Sequence, residues 1–216
     1  TATAAPTATP APTATPTATP TPTPTPVPTM PTGAYTDPNG TGSYSIGTDG
    51  TATYSKPANS AAMVTIPDTI TVNGKEIKVT SIADKAFYKD TKLTTVTIGK
   101  NIKTIGKNAF ASCTKLKTVK SGAAVTKISD SAFSGCKALK TFPTMKKVTA
   151  IGASAFKGCS VLTKFTLGSK LKTIGKNAFA SCTKLAIVSG GAAVTSIGDS
   201  AFSGDKALKS FPTLSK

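Results

Sequence analysis

From Val79 onward the chain divides without remainder into six units of 23 residues, beginning at Val79, Ile102, Val125, Val148, Leu171 and Val194. A fixed period of this length, with apolar residues returning at the same places, is the signature of a solenoid. Ile82, Ile105, Ile128, Ile151, Ile174 and Ile197 form one column. Phe87, Phe110, Phe133, Phe156, Phe179 and Phe202, each preceded by Ala, form a second, and Leu93, Leu116, Leu139, Leu162, Leu185 and Leu208 a third. Val96, Val119, Phe142, Phe165, Val188 and Phe211 follow three positions later. A single unit has no means of burying Phe110 or Leu116, so its neighbours must cover them.

Each unit reads as two short extended segments around a compact turn. "IKTI" supplies the first and "LTTVTI" or "LTKFTL" the second, while "GKNAFASC" between them is too short for an ordinary helix and predicts a single helical or 3₁₀ turn. Like segments pair into parallel sheets about 4.8 Å apart. "VKSGAA" (119–124) and "VSGGAA" (188–193) lack the apolar alternation and predict bulges or a looser edge.

Two regions precede the array. Residues 1–32 are almost entirely Thr, Ala and Pro without charge, a spacer that cannot bury enough apolar surface to fold. Polyproline II would carry it roughly 100 Å, and Thr beside Pro suits an O-glycosylated stalk as well as an unmodified linker. Residues 33–78 alternate around Asp49-Gly50 and Asn73-Gly74, two hairpin signals with central residues tolerant of positive φ. They predict a β-hairpin cap over the first edge of the solenoid.

The repeats "IKTIGKNAFASCTKLKTV" and "VTSIGDSAFSGDKALKSF" resemble the BspA-type leucine-rich repeats of bacterial surface proteins, over residues 79–216. The stretch from "GSYSIGTDG" to "KVTSI" is similar to the start of such arrays. The resemblance implies a leucine-rich-repeat solenoid, secreted or wall-attached, that binds other proteins or surfaces without catalysing a reaction. The array ends flush with a unit at Lys216, so the chain reads as a fragment or as a solenoid that stacks on something.

The net charge of +17 comes from 26 basic residues, all Lys. Without Arg the guanidinium fork of base and phosphate recognition is missing, and no nucleic-acid-binding motif is present, which argues against nucleic acid. No apolar run is long enough for membrane insertion. Lys92, Lys115 and Lys184 share one column and Lys117, Lys140 and Lys209 another, a basic stripe for an acidic partner or a solvated face. Asp84, Lys107, Asp130, Ala153, Lys176 and Asp199 predict weak ion pairs between neighbouring units.

Cys113, Cys136, Cys159 and Cys182 are spaced by 23, so they stack in one column. Cβ atoms in register stay too far apart for a comfortable disulfide, and a linear column without His makes a poor metal cage; four buried thiols are expected. Asp90 and Asp205 take the Cys position in the first and last units, which are expected to be less enclosed. "DPNG" (37–40) is faintly like a calcium loop, but the twelfth position is Thr48 in place of Glu. With one Glu and no His, no catalytic, cofactor or metal site is assigned.

These readings converge on recognition of an extracellular protein or glycan, with Thr94, Lys117, Lys140, Thr163 and Lys209 as the expected partner-binding row beside the Leu column. A carbohydrate platform would need exposed aromatics, and only Tyr88 qualifies. The alternative is a structural protein that self-associates through open solenoid ends. It is favoured by the 69-residue super-period of three units, seen in the 35 identities in 46 positions between the two-unit stretches Ile102–Lys147 and Leu171–Lys216.

Overall fold

A computed structural model describes residues 1–2 and 31–212; the spacer expectation falls largely outside them. The chain winds as a β-solenoid. Its first segments stack into one sheet and its second segments into another, with the apolar columns enclosed between them.

The N-terminal region supplies β1 (Gly33–Thr36), β2 (Ser43–Ile46), β3 (Ala52–Lys56), β4 (Met63–Thr65), β5 (Thr69–Val72) and β6 (Lys75–Ile82). Asn73 and Gly74 both take positive φ, 51° and 74°, in a two-residue turn that joins β5 to β6 with Val72 opposite Lys75. The β2–β3 turn differs from expectation. Only Gly50 is left-handed (φ 71°), and the loop runs Gly47–Thr51, closed by the Gly47 N–H on the Thr51 carbonyl at 2.9 Å. The Asp49 carboxylate accepts the Thr51 N–H and hydroxyl, which stabilises this wider loop over the two-residue form.

These strands do more than cover an edge. β3 pairs in parallel with β6, and β4 pairs in parallel with β7 (Thr95–Ile98), so each sheet begins with a rung taken from outside the repeats. Tyr54 of β3 lies against Phe87 at 5.5 Å and 10°, in the place that a preceding Phe would occupy.

The first sheet continues through β8 (Thr104–Ile105), β10 (Lys127–Ile128), β11 (Ala150–Ile151), β13 (Thr173–Ile174) and β15 (Ser196–Ile197), all parallel and in register. The second sheet holds β7 and β9 (Thr118–Ser121), then β12 (Lys164–Leu167) and β14 (Ile187–Gly190). Of the irregularities expected at 119–124 and 188–193, the ladder shows none, since β9 and β14 pair regularly, but the backbone does turn left-handed there, at Ser121 (φ 65°), Gly122 (91°), Gly190 (79°) and Gly191 (78°). The break falls at Phe142-Pro143, where only Thr141 bridges to Thr118 and Lys164. Pro143 brings no N–H to the ladder.

Between the segments the backbone makes no helical or 3₁₀ turn among the described residues. In the first unit Ala86, Tyr88 and Asp90 donate their N–H to Ala83, Lys85 and Phe87, and the N–H groups of Lys85, Phe87 and Lys89 donate to Lys107, Ala109 and Ala111 of the next unit. A 3₁₀ turn would consume every N–H inside its own unit and leave none to join units. Alternation needs left-handed residues, and Lys85, Asn108, Ser131, Ser154, Asn177 and Ser200 all have φ between 54° and 58°. Four positions on, Lys89, Ser112, Gly135, Gly158, Ser181 and Gly204 do the same at 59–79°.

The columns are buried as the period requires. From Phe87 to Phe202 the rings stack at 4.9–5.3 Å and within 11° of parallel. Phe142 and Phe165 stack on each other at 5.5 Å and meet the main column edge-on. Burial fades in the last unit, where Ile197 and Phe211 are 37% and 38% exposed.

Candidate recognition face

Chemistry is most easily judged from the thiols. All four Cys are buried and free. Each Sγ donates to the Phe carbonyl of the preceding unit: Cys113 to Phe87 at 2.9 Å, Cys136 to Phe110 at 3.1 Å, Cys159 to Phe133 at 3.3 Å and Cys182 to Phe156 at 3.1 Å. Burial pushes the Cys113 thiol up to about 12 and those of Cys136 and Cys159 well above their ordinary range. Such thiols are neither nucleophiles nor ligands; they tie one turn to the next.

Asp90 and Asp205 are half-buried. The Asp90 carboxylate accepts the N–H groups of Lys92 and Leu93 and closes its own loop. Asp205 Oδ1 accepts the Cys182 N–H at 2.7 Å, while Oδ2 is buried without a hydrogen-bond partner among the described residues. Desolvation raises the Asp205 carboxyl to about 7 against that hydrogen bond.

The Asp/Lys column does not form its expected ion pairs. Asp84 and Asp130 instead accept the backbone N–H of Lys107 and Ala153, one unit on, at 2.7 and 2.8 Å. The charged pair seen is Lys100–Asp68 at 3.1 Å, beside the first rung of the second sheet. The "DPNG" loop is likewise structural. The buried Asp37 carboxylate accepts from the Thr41 hydroxyl and from Asn39, and these bonds, Thr41 foremost, hold it below the ordinary carboxylate range.

The solvent face of the second sheet is different in kind. One outward row runs Met63, Thr95, Thr118, Thr141, Lys164, Ile187 and Ser210, and another runs Thr65, Thr97, Lys120, Pro143, Thr166 and Ser189. Beside them lies the expected partner-binding row, one residue earlier in each unit. Its members are in column, with Lys117 N–H on the Thr94 carbonyl at 2.8 Å and Lys209 N–H on that of Ala186 at 3.0 Å. Lys117, Lys140, Thr163 and Lys209 are exposed. Thr94 is half-buried and committed elsewhere, its hydroxyl donating to the Ala62 carbonyl at 2.8 Å.

The sequence reading stopped one position short of the strand itself. The residues flanking Val96, Val119 and Phe165 point outward by simple alternation, a signal available from the period of two. With them the face and the adjoining loop carry Lys92, Lys115, Lys117, Lys120, Lys137, Lys140, Lys164, Lys184, Lys206 and Lys209, all exposed. Among the described residues none of these has a carboxylate within ion-pair distance. The two acids nearest in sequence, Asp90 and Asp205, spend an oxygen each on backbone N–H groups. Tyr88, 44% exposed, borders a separate shallow groove of about 310 Å³ with Lys56 and Asn59, and the Lys89 ammonium stands 5.2 Å from its ring.

This geometry is shared with known proteins. The model of the BspA type leucine rich repeat region matches six copies over residues 80–209. A leucine-rich repeat protein from Bacteroides ovatus is 32% identical with a TM-score of 0.70, over 77% of this chain and 44% of its own. A leucine rich cell surface protein from Faecalibacterium prausnitzii is 31% identical with a TM-score of 0.71, over 82% of this chain and 53% of its own. The chain therefore spans about half the length of these two structures. The T. pallidum leucine rich repeat protein, 22% identical with a TM-score of 0.63, covering 81% of this chain and 91% of its own, shares the fold. No curated protein matches the sequence. Six in-phase repeats, their two parallel sheets and the matching family model together make the chain a member of the BspA-type leucine-rich repeat family of bacterial surface proteins.

Proposed function

We propose that the protein is a non-catalytic recognition module, secreted or wall-associated, that adheres to an acidic extracellular protein or glycan through the solvent face of its second sheet. The observation that carries this reading is the concentration there of exposed lysines with no carboxylate partner among the described residues. A face built to be merely solvated would be expected to mix both signs. The lysines raise the local concentration of an acidic partner and the Thr hydroxyls offer hydrogen bonds in a flat array.

The test is binding of the purified protein to intact bacterial cells and to immobilised acidic glycans. A Lys117→Glu/Lys140→Glu/Lys209→Glu variant is expected to lose about tenfold or more in affinity. Lys103→Glu/Lys127→Glu/Lys172→Glu, the same charge change on the first sheet, should lose far less. Equal losses from the two variants would overturn the assignment.

A second reading, end-to-end stacking of solenoids, is favoured by the in-register identity of the rungs, since Phe rings 4.9–5.3 Å apart repeat along the whole array and one unit's face therefore fits another's. Sedimentation across a concentration series tests it, and a monomer throughout would remove it.

A further inference from the structure

Part of the lysine face is duplicated, although Lys117 and Lys120 recur as Ala186 and Ser189. Lys115, Lys137 and Lys140 recur 69 positions later as Lys184, Lys206 and Lys209, and all six are exposed. Within each cluster two neighbouring units contribute, one lysine from the first and two from the second. Lys140 and Lys209 stand in one column. The Thr163 N–H meets the Lys140 carbonyl at 3.4 Å, Ala186 meets Thr163 at 2.9 Å and Lys209 meets Ala186 at 3.0 Å. The rings of the same rungs stack at 5.1–5.3 Å. Three rungs therefore set the two clusters roughly 15 Å apart along the axis.

The chemistry of the side chains narrows what lies across them. Without Arg the chain has no fork for bidentate recognition of either phosphate or carboxylate, and what it offers is Lys, a compact point charge that binds phosphate oxygens without demanding a fixed orientation of the ligand, as suits a repeating flexible polyanion. Among the described residues no exposed aromatic ring lies between the clusters, and Phe211 beside Lys209, 38% exposed, packs edge-on against Phe202, so no row of flat rings is offered to stack nucleobases. The surface between them is mainly uncharged, with Thr163, Thr166, Ile187 and Ser189 around Lys164. An extended ligand can cross it without clash of charge.

Resting on the reading of this face as the recognition surface, we propose that the two lysine clusters form a bivalent site for a linear phosphodiester polymer without bases, laid along the solenoid axis. Once one cluster has engaged a phosphate run, the second binds at the high effective concentration set by the polymer. Affinity then depends on length in a step.

Isothermal titration with glycerol-phosphate oligomers of defined length tests this. Oligomers too short to span roughly 15 Å should bind weakly, and those long enough about tenfold or more tightly. Lys115→Gln/Lys137→Gln/Lys140→Gln and Lys184→Gln/Lys206→Gln/Lys209→Gln should each abolish the step and lower the salt dependence by about half. Lys103→Gln/Lys127→Gln/Lys172→Gln should leave the step in place. A smooth rise of affinity with length, or equal losses from all three variants, overturns the bivalent site. Tighter binding of single-stranded nucleic acid than of the oligomers overturns the base-free ligand. Absence of oligomer binding, with cell binding still lost on Lys117→Glu/Lys140→Glu/Lys209→Glu, overturns this inference alone; cell binding unaffected by that variant overturns the recognition face as well.

Discussion

Asp205 occupies the column that Cys113, Cys136, Cys159 and Cys182 fill in the units before it. A thiol there donates to the preceding Phe carbonyl, whereas a carboxylate has nothing to donate and keeps a buried oxygen unpaired. The folded state therefore holds the proton up to about pH 7, against an ordinary carboxyl value of 3.8. Above pH 7 the folded protein carries a desolvated charge that the unfolded chain carries in water. Stability should rise as pH falls from 8 to 5, and below about 4 both states are protonated and the gain stops. No His titrates in that window. Urea midpoints measured from pH 8 to 5 should climb for the natural protein and stay nearly level for Asp205→Asn. The exchange of Cys for Asp was visible in the sequence as a broken column. Its electrostatic consequence was not, because that depends on which atoms close over the carboxylate.

The repeat unit was legible as two segments and a turn, but the turn's conformation was not. "GKNAFASC" satisfies the length of a 3₁₀ turn, and local propensity has no reason to refuse one. Pairing between units decides otherwise, since alternate N–H groups must be left free for the next unit. Left-handed residues are what the arrangement costs. Asn108 (φ 54°) tolerates this region and Ala does not. Asn108→Ala should destabilise by about 1 kcal/mol, and Asn108→Gly should be near neutral, as read by chemical denaturation. Pro143 teaches the same lesson from the other side. Its missing N–H is in plain view, whereas the Gly-Ala-Ala segments are irregular only in backbone φ, at Ser121, Gly122, Gly190 and Gly191. A Gly or Ser in a strand still donates its N–H, so β9 and β14 form and the Pro rung does not.

Across the whole molecule, stability is distributed along one dimension, each unit touching only its neighbours. Phe156 is covered on both sides, with Phe133 at 5.3 Å and Phe179 at 5.2 Å, whereas half-buried Phe202 has a stacked ring only toward Phe179. Phe156→Ala should cost about 3–5 kcal/mol and Phe202→Ala less than half of that, measured by urea unfolding. Tyr54 extends the same logic to the start of the array. It closes the column with a ring from outside the repeats, a role the hairpin signals did not reveal.

The sequence by itself determined the period, the buried columns, the two segments of each unit and the family. All of these follow from which residues recur every 23 positions and from the need to bury Phe and Leu between neighbours. Only the tertiary structure decided how the turn is wound, that the Asp/Lys column bonds to backbone N–H groups, and which lysines gather on one face. Those outcomes depend on partners supplied by adjacent rungs, and a residue's column does not state what lies across from it.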